Sequence, residues 1–193
     1  MDEGDDFVMR LGKIHRAFHT NGLDVLASVI KTAEDMLKDR MCTRVKSSND
    51  PLKDILAGRP VVTSDSAHVF VHTEDKVGVK FARNVVETSG DRLCICVSID
   101  GPTTFTRNEF QNKSIQFLTC KFLCVNVTKH ELVPKHTLLS DAASFDEKTL
   151  PLILDTDPIV QYFNWPIGGV VQIDRVFAGN EPIPYFRLIS ASS

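Results

Sequence analysis

Two pieces of sequence decide the reading: Cys124-Val-Asn-Val-Thr-Lys-His-Glu-Leu-Val-Pro-Lys-His136 and Thr156-Asp-Pro-Ile-Val-Gln-Tyr-Phe163. In the second, Asp157 suits a helix N-cap, and Pro158 falls at the first helical position, where its missing N–H is not needed. Ile159, Val160, Tyr162 and Phe163 give that helix an apolar side, and Asn164-Trp-Pro-Ile-Gly-Gly169 ends it. Val170-Val-Gln-Ile173 and Tyr185-Phe-Arg-Leu-Ile189 alternate as strands, with Ala178-Gly-Asn-Glu-Pro182 as the turn between them. In the first piece, Val125-Asn-Val127 continues a strand. Residues 125–193 thus read as a small β-rich domain with a helix laid on it. A unit of that size is near the lower limit for folding alone, so a stabilising partner is expected.

His130-Glu131 resembles the start of the zinc-protease motif. That motif needs a second His three residues after the Glu, on the same helix face. Pro134 stands there instead, and proline breaks a helix interior. His130 and His136 are six apart, about 20 Å in an extended chain, too far to share an ion.

Upstream, residues 1–124 read as a mixed sheet carrying helices, so the chain as a whole is of the α+β or α/β kind. Phe7, Leu11, Ile14 and Phe18 mark one face of a helix of about four turns, with Asn21-Gly22 as its stop. A second helix starts at Asp24 and turns Leu26, Val29, Ile30, Ala33 and Leu37 inward. Lys46-Ser-Ser-Asn-Asp50 is a loop, and Asp50 caps a short helix with Pro51 first. Val61–Thr63, Val69–Val71 and Val77–Phe81 are short β-rich runs, followed by a helix near Ala82–Thr88. Leu93-Cys-Ile-Cys-Val-Ser-Ile99 is apolar enough to be buried on both faces. Thr103–Lys113 is a Thr-capped helix, and Ile115–Val127 is mostly strand.

Composition removes several functions. The 193 residues are 42% hydrophobic and 24% charged, as in ordinary globular proteins. A net charge of -3 does not make the whole chain a nucleic-acid binder. The acidic start, Met1-Asp-Glu-Gly-Asp-Asp6, is unlike a signal peptide, and no apolar run is long enough to span a bilayer. Five cysteines, an odd number, favour reduced thiols. Cys94/Cys96 and Cys120/Cys124 lack the compact turns of a zinc site, so they read as buried small hydrophobes. His15 and His19 read as a solvated helix face. Asp65, Glu74 and Lys76 loosely match the acid, acid, lysine pattern of metal-dependent nucleases, although Glu74-Asp75-Lys76 reads as an exposed turn.

The order of His130-Glu-Leu-Val-Pro-Lys-His136, Leu150-Pro151, Thr156-Asp-Pro158, Tyr162-Phe163, Gly169-x-Val-Val-x-Ile173, Arg175 and Tyr185-x-Arg-Leu188 resembles a known family. It is similar to the C-terminal assembly domain of the fifth shared subunit of eukaryotic nuclear RNA polymerases, and to the small archaeal RNA polymerase protein that corresponds to this domain alone. Lys76-Val-Gly-Val79, the strand at 93–99 and the turn at 100–104 extend the likeness more loosely to the first half. The resemblance implies a non-catalytic, nuclear polymerase subunit without cofactor, metal, membrane or small-molecule substrate. Residues 1–124 would be a nuclease-like jaw domain and 125–193 the assembly domain. The latter would dock on the largest subunit, among the other shared subunits, through His130, Glu131, Leu132, Val133, Pro134, His136, Asp157, Pro158, Tyr162, Arg175 and Arg187. Gly101, Pro102, Thr103, Thr104 and Arg107 would face downstream duplex DNA, offering backbone and hydroxyl donors to phosphate.

Departures mark a divergent copy. Family members often read Thr-Pro-Ser-Ala where this chain has Gly101-Pro-Thr-Thr104, with no cation until Arg107. The segment from Leu139 to Thr149 is short, and Pro166, Ile167 and Gln172 replace residues that are often basic. A copy specialised to one polymerase class (nucleolar if polymerase I) or encoded by a virus fits these changes. The other readings are a nuclease using Asp65, Glu74 and Lys76, and a free-standing adaptor that borrows the assembly domain.

Overall fold

Glu3, Asp5 and Asp6 lie in the first turn of α1 (Glu3–Gly12), where the helix dipole favours carboxylates. Phe7 and Leu11 are fully buried on its inner side. The computed structural model describes residues 2–14, 21–111, 113–140, 145–146, 148–176 and 181–192. The helix ends at Gly12, so Ile14, expected on its inner face, lies in the turn that follows; Phe18, His15 and His19 of the expected continuation lie outside the described residues, as do the expected turn residues 178–180. The chain divides into two compact units, Met1–Val125 and Asn126–Ser193.

Asn21-Gly22, expected to stop the first helix, starts the second. Asn21 is the N-cap of α2 (Gly22–Asp39), and its side chain accepts the Asp24 N–H at 3.0 Å. Gly22 is required by packing: a Cβ there would sit 1.7 Å from the Val8 carbonyl oxygen of α1. The turn chemistry of Asn and Gly thus serves a cap and a close helix approach.

The rest of this unit comprises β1 (Lys46–Ser47), α3 (Pro51–Leu56), β2 (Val62–Thr63), β3 (Ala67–Val71), β4 (Lys76–Val77), α4 (Val79–Ser89), β5 (Leu93–Ser98), β6 (Gly101–Pro102), α5 (Thr104–Glu109), β7 (Ile115–Thr119) and α6 (Cys120–Leu123). Lys46–Ser47 therefore pairs as an edge strand within the expected loop. The five-stranded sheet runs β1-β2-β3-β5-β7, antiparallel from β1 to β3 and parallel from β3 to β7. Phe70, Cys94 and Cys96 pack with Val77, Ala82, Val85 and Phe110 on one face. Val69, Val71, Ile95 and Val97 alternate with them along β3 and β5 and are equally buried. Burial on both faces is what makes the β5 sequence continuously apolar.

Three further boundaries depart from expectation, the first being the helix expected over Thr103–Lys113, which ends at Glu109. Gly78 caps α4, so Val79 and Phe81 belong to the helix rather than to a strand. The strand expected over 115–127 ends at Thr119, whose hydroxyl accepts the Phe122 N–H at 3.2 Å and opens α6. Cys120 and Leu123 are both fully buried and are spaced as one helical face. A short apolar run does not by itself separate helix from strand.

The second unit begins with a 3₁₀ turn, Val127–Lys129, where a continued strand was expected. β8 (Lys135–Leu138), β9 (Leu152–Leu154), α7 (Pro158–Phe163), β10 (Val170–Arg175) and β11 (Ile183–Ser190) follow. The four-stranded sheet has the order β8-β10-β11-β9, with β9 parallel to β11 and the other neighbours antiparallel. Asp157 caps α7 as read, and Asn164 ends it in the left-handed region at φ 54°. Ile153, Val160, Val171, Ile173 and Ile189 form this unit's core, with Leu138 and Trp165 against it.

All five thiols are unbridged. Burial pushes the Cys96 thiol far up and the Cys120 thiol up to about 12. Thiolate is the reactive form, so both should resist alkylation at pH 8 while the half-buried Cys42 reacts. Iodoacetamide labelling followed by peptide mass spectrometry checks this. Labelling of Cys96 or Cys120 as fast in the native chain as in denaturant would contradict the packing.

Candidate subunit and DNA interfaces

The register of the second sheet assembles residues far apart in sequence. His136 on β8 lies opposite Ile173 on β10, which lies opposite Tyr185 on β11. Arg175 and Arg187 share that face, because directly paired and alternate residues point the same way. These residues border an open groove of about 420 Å³. Of the eleven expected subunit contacts, His136, Asp157, Arg175 and Arg187 line it together. Leu152, Ile153, Leu154, Thr156 and Ile173 line the rest, and sequence reading missed them as site residues. The signal available was Leu150-Pro-Leu-Ile-Leu154, whose last three residues form β9 two residues before the Asp157 cap.

Four polar side chains of the groove have defined contacts. The Asp157 Oδ1 accepts the Ile159 N–H at 2.8 Å. The Arg187 Nη1 donates to the Leu152 carbonyl at 3.0 Å. Arg175 stacks over Tyr185, 5.3 Å from the ring centroid. The His136 Nδ1 lies 2.7 Å from the Pro134 carbonyl oxygen. A carbonyl only accepts, so Nδ1 carries a proton and a neutral ring keeps Nε2 as its acceptor.

The other expected contacts are placed differently. Tyr162 is fully buried, and its hydroxyl accepts a hydrogen bond from Asn126 Nδ2 at 3.3 Å. It holds the unit together and presents no surface. His130, Glu131 and Leu132 are exposed, Pro158 is exposed at the start of α7, and Val133 and Pro134 are half-buried. The His130–Pro134 stretch is not the extended segment expected. The Val133 N–H reaches the His130 carbonyl at 2.9 Å, and the Leu132 N–H reaches the His130 Nδ1 at 3.2 Å. That turn shortens the span assumed between His130 and His136. Among the described residues, no group of three or more His, Cys, Asp or Glu side chains could hold a metal ion.

In the first unit, β4 and β6 pair in parallel, Lys76 with Gly101 and Val77 with Pro102. Gly101 is buried at φ +81°, and its N–H donates to the Ser98 hydroxyl at 3.0 Å. Pro102 is half-buried, while Thr104 and Arg107 are exposed. Thr106 is buried, and its hydroxyl donates to the Val77 carbonyl at 3.0 Å. Its proton is therefore committed, and Thr103 must be the donor in the 2.8 Å hydroxyl contact between them. Thr103 also accepts the Thr106 N–H at 3.2 Å, and its own N–H donates to the Val77 carbonyl at 3.1 Å. Its hydroxyl and amide donors are used internally, contrary to the expected role toward phosphate. The expectation of no nearby cation also changes, because exposed Lys76 stands beside Gly101 in the ladder.

Asp65, Glu74 and Lys76 do not form a metal site. Asp65 precedes β3, where it accepts the Thr43 N–H at 2.9 Å and the Thr43 hydroxyl at 2.7 Å. Glu74 follows β3, near His72 at 3.6 Å. The strand between them spans about 13 Å, several metal–ligand bond lengths. The turn is also tied down: Arg10 donates to Asp75 at 2.6 Å and to the Thr73 carbonyl at 2.8 Å.

The family model for RNA polymerase Rpb5, C-terminal domain, matches residues 125–189. A Dictyostelium discoideum protein, DNA-directed RNA polymerases I, II, and III subunit rpabc1, is 31% identical over 177 residues, covering 78% of this chain and 89% of that protein. The chain belongs to the Rpb5 family. Arabidopsis thaliana DNA-directed RNA polymerase subunit 5-like protein 1 is 24% identical over 195 residues, covering 91% of this chain and 93% of that protein. Arabidopsis DNA-directed RNA polymerases IV and V subunit 5B is 41% identical over 76 residues, 35% of each chain. These modest identities fit a divergent Rpb5 copy, a transcription protein and non-catalytic homologue of polymerase subunits.

The internal use of Thr103 predicts unequal effects for two neighbouring substitutions. Thr103→Ala should cost about 1 kcal/mol as a lost helix cap, lowering Tm by roughly 2–4 °C. Thr104→Ala should stay within about 0.5 kcal/mol. Thermal melts compare them, and equal losses would contradict the bonding described.

Proposed function

We propose that the chain is a non-catalytic structural subunit of a nuclear DNA-directed RNA polymerase. In this reading Asn126–Ser193 is an assembly domain that docks on the largest subunit, and Met1–Val125 forms part of the jaw around downstream DNA. The observation that carries it is the match along 89% of the length of a relative named as a polymerase subunit. The groove that gathers His136, Asp157, Arg175 and Arg187 supports the docking part. Exposed Lys76, Thr104 and Arg107 support a limited DNA contact, because two cations near Thr104 attract phosphate. Glu74, Asp75 and Asp100 are exposed nearby and weaken that attraction. The jaw would therefore guide DNA more than hold it.

A second reading, a copy specialised to one polymerase class, is favoured by the divergent positions Gly101–Thr104, Pro166, Ile167 and Gln172. Likeness over 76 residues to a relative named for polymerases IV and V also favours service to a restricted set of polymerases. One experiment tests both. Affinity capture of the full chain from its own cells, with mass spectrometry, should recover the largest polymerase subunit and other shared subunits in stoichiometric amounts. Recovery of a single class of largest subunit marks specialisation. Recovery of the chain alone, or with salt-labile traces of polymerase, would overturn the subunit reading and favour an adaptor.

A further inference from the structure

We propose that Met41 is a reversible oxidation site, where a peroxide converts the thioether to a sulfoxide without disturbing the fold. The inference is independent of the polymerase reading. The position is set by the way α2 ends. Arg40 is the C-cap, the Met41 N–H donates to the Lys38 carbonyl at 2.9 Å, and the Cys42 N–H donates to the Leu37 carbonyl at 3.0 Å. This pair of bonds is the helix stop that puts the residue after the cap in the left-handed region, and Met41 has φ +64°. Glycine is the usual occupant, because an L side chain there is crowded by its own backbone.

The same stop leaves the Met41 side chain in water. It is 86% exposed, against 43% for Met9 and 0% for Met36. The turn does not need that side chain to hold its shape. Its backbone is anchored to α2, where Leu37 is fully buried, and Asp65 accepts both the N–H and the hydroxyl of Thr43 on its far side. A polar oxygen added to Met41 therefore displaces no packed neighbour. The same oxygen on Met36 would enter the core, where an unpaired polar group is costly.

The step needs only the peroxide. A sulfur lone pair attacks one peroxide oxygen, the O–O bond breaks, sulfur is oxidised to the sulfoxide, and the other oxygen leaves as water. Methionine sulfoxide reductases reverse it with a dithiol: the sulfoxide oxygen leaves as water while the two thiols become a disulfide. Both reactions require access to the sulfur, which the exposed turn provides and the buried face of α2 denies to Met36.

Treatment of the full chain with hydrogen peroxide at pH 5, followed by peptide mass spectrometry, tests this, with fragment ions separating Met1 from Met9. A thioether has no proton to lose and reacts at that pH, whereas thiols stay in their unreactive protonated form. Met41 should be oxidised about twofold or more faster than Met9 and about tenfold or more faster than Met36. In denaturant the three rates should converge. A sample stopped when Met41 alone is modified should melt within about 2 °C of the untreated chain. Methionine sulfoxide reductases with dithiothreitol should restore the original mass of the native chain. Met41→Leu should melt within the same range and lose the first oxidised species. Native oxidation of Met9 or Met36 ahead of Met41 would overturn the proposal. So would a larger fall in Tm that tracks the Met41 sulfoxide, or a sulfoxide that the reductases leave in place.

Discussion

The register of β10 is the constraint on which the second unit depends. Val171 and Ile173 must face α7 to close the core, and the same alternation carries Arg175 onto the groove side. Pairing with β8 then brings His136 to Ile173, and pairing with β11 brings Arg187 to Val171. A slip of one residue would turn all of them to the opposite face. Core packing and the placement of these surface residues are therefore set by one pairing.

The first unit couples fold and surface in another way. The hydrogen-bond chain from Thr103 to the buried Thr106 to the Val77 carbonyl locks the start of α5 onto β4. Arg10 of α1 clamps the preceding turn through Asp75 and the Thr73 carbonyl. These polar contacts occupy the donors that a phosphate-binding turn would offer. They hold Lys76 and Gly101 side by side in return. A rigid rim with few cations is consistent with the proposed jaw guiding DNA rather than gripping it.

The sequence was most legible where the signal is local. Asp50-Pro51 and Asp157-Pro158 each announce a helix start, and both helices begin there. The apolar run at 93–99 announced a strand buried on both faces, and β5 forms over Leu93–Ser98 of it. Legibility failed where a residue acts through a distant neighbour. Gly22 is explained by Val8, which periodicity does not link to it. Tyr162 sits in a recognisable motif, yet its burial beneath the unit's own packing separates structural from contact residues. The convergence of His136, Arg175 and Arg187 needs strand order and register, which no local pattern supplies.

The central claim is that this groove face is where the chain is held by its polymerase. Hydrogen–deuterium exchange, compared between the free chain and the assembled complex, tests it most directly. Amides of Lys135–Leu138, Leu152–Asp157 and Val171–Arg175 should exchange more slowly in the complex. Unchanged exchange across those segments, with protection confined to residues 2–124, would contradict it.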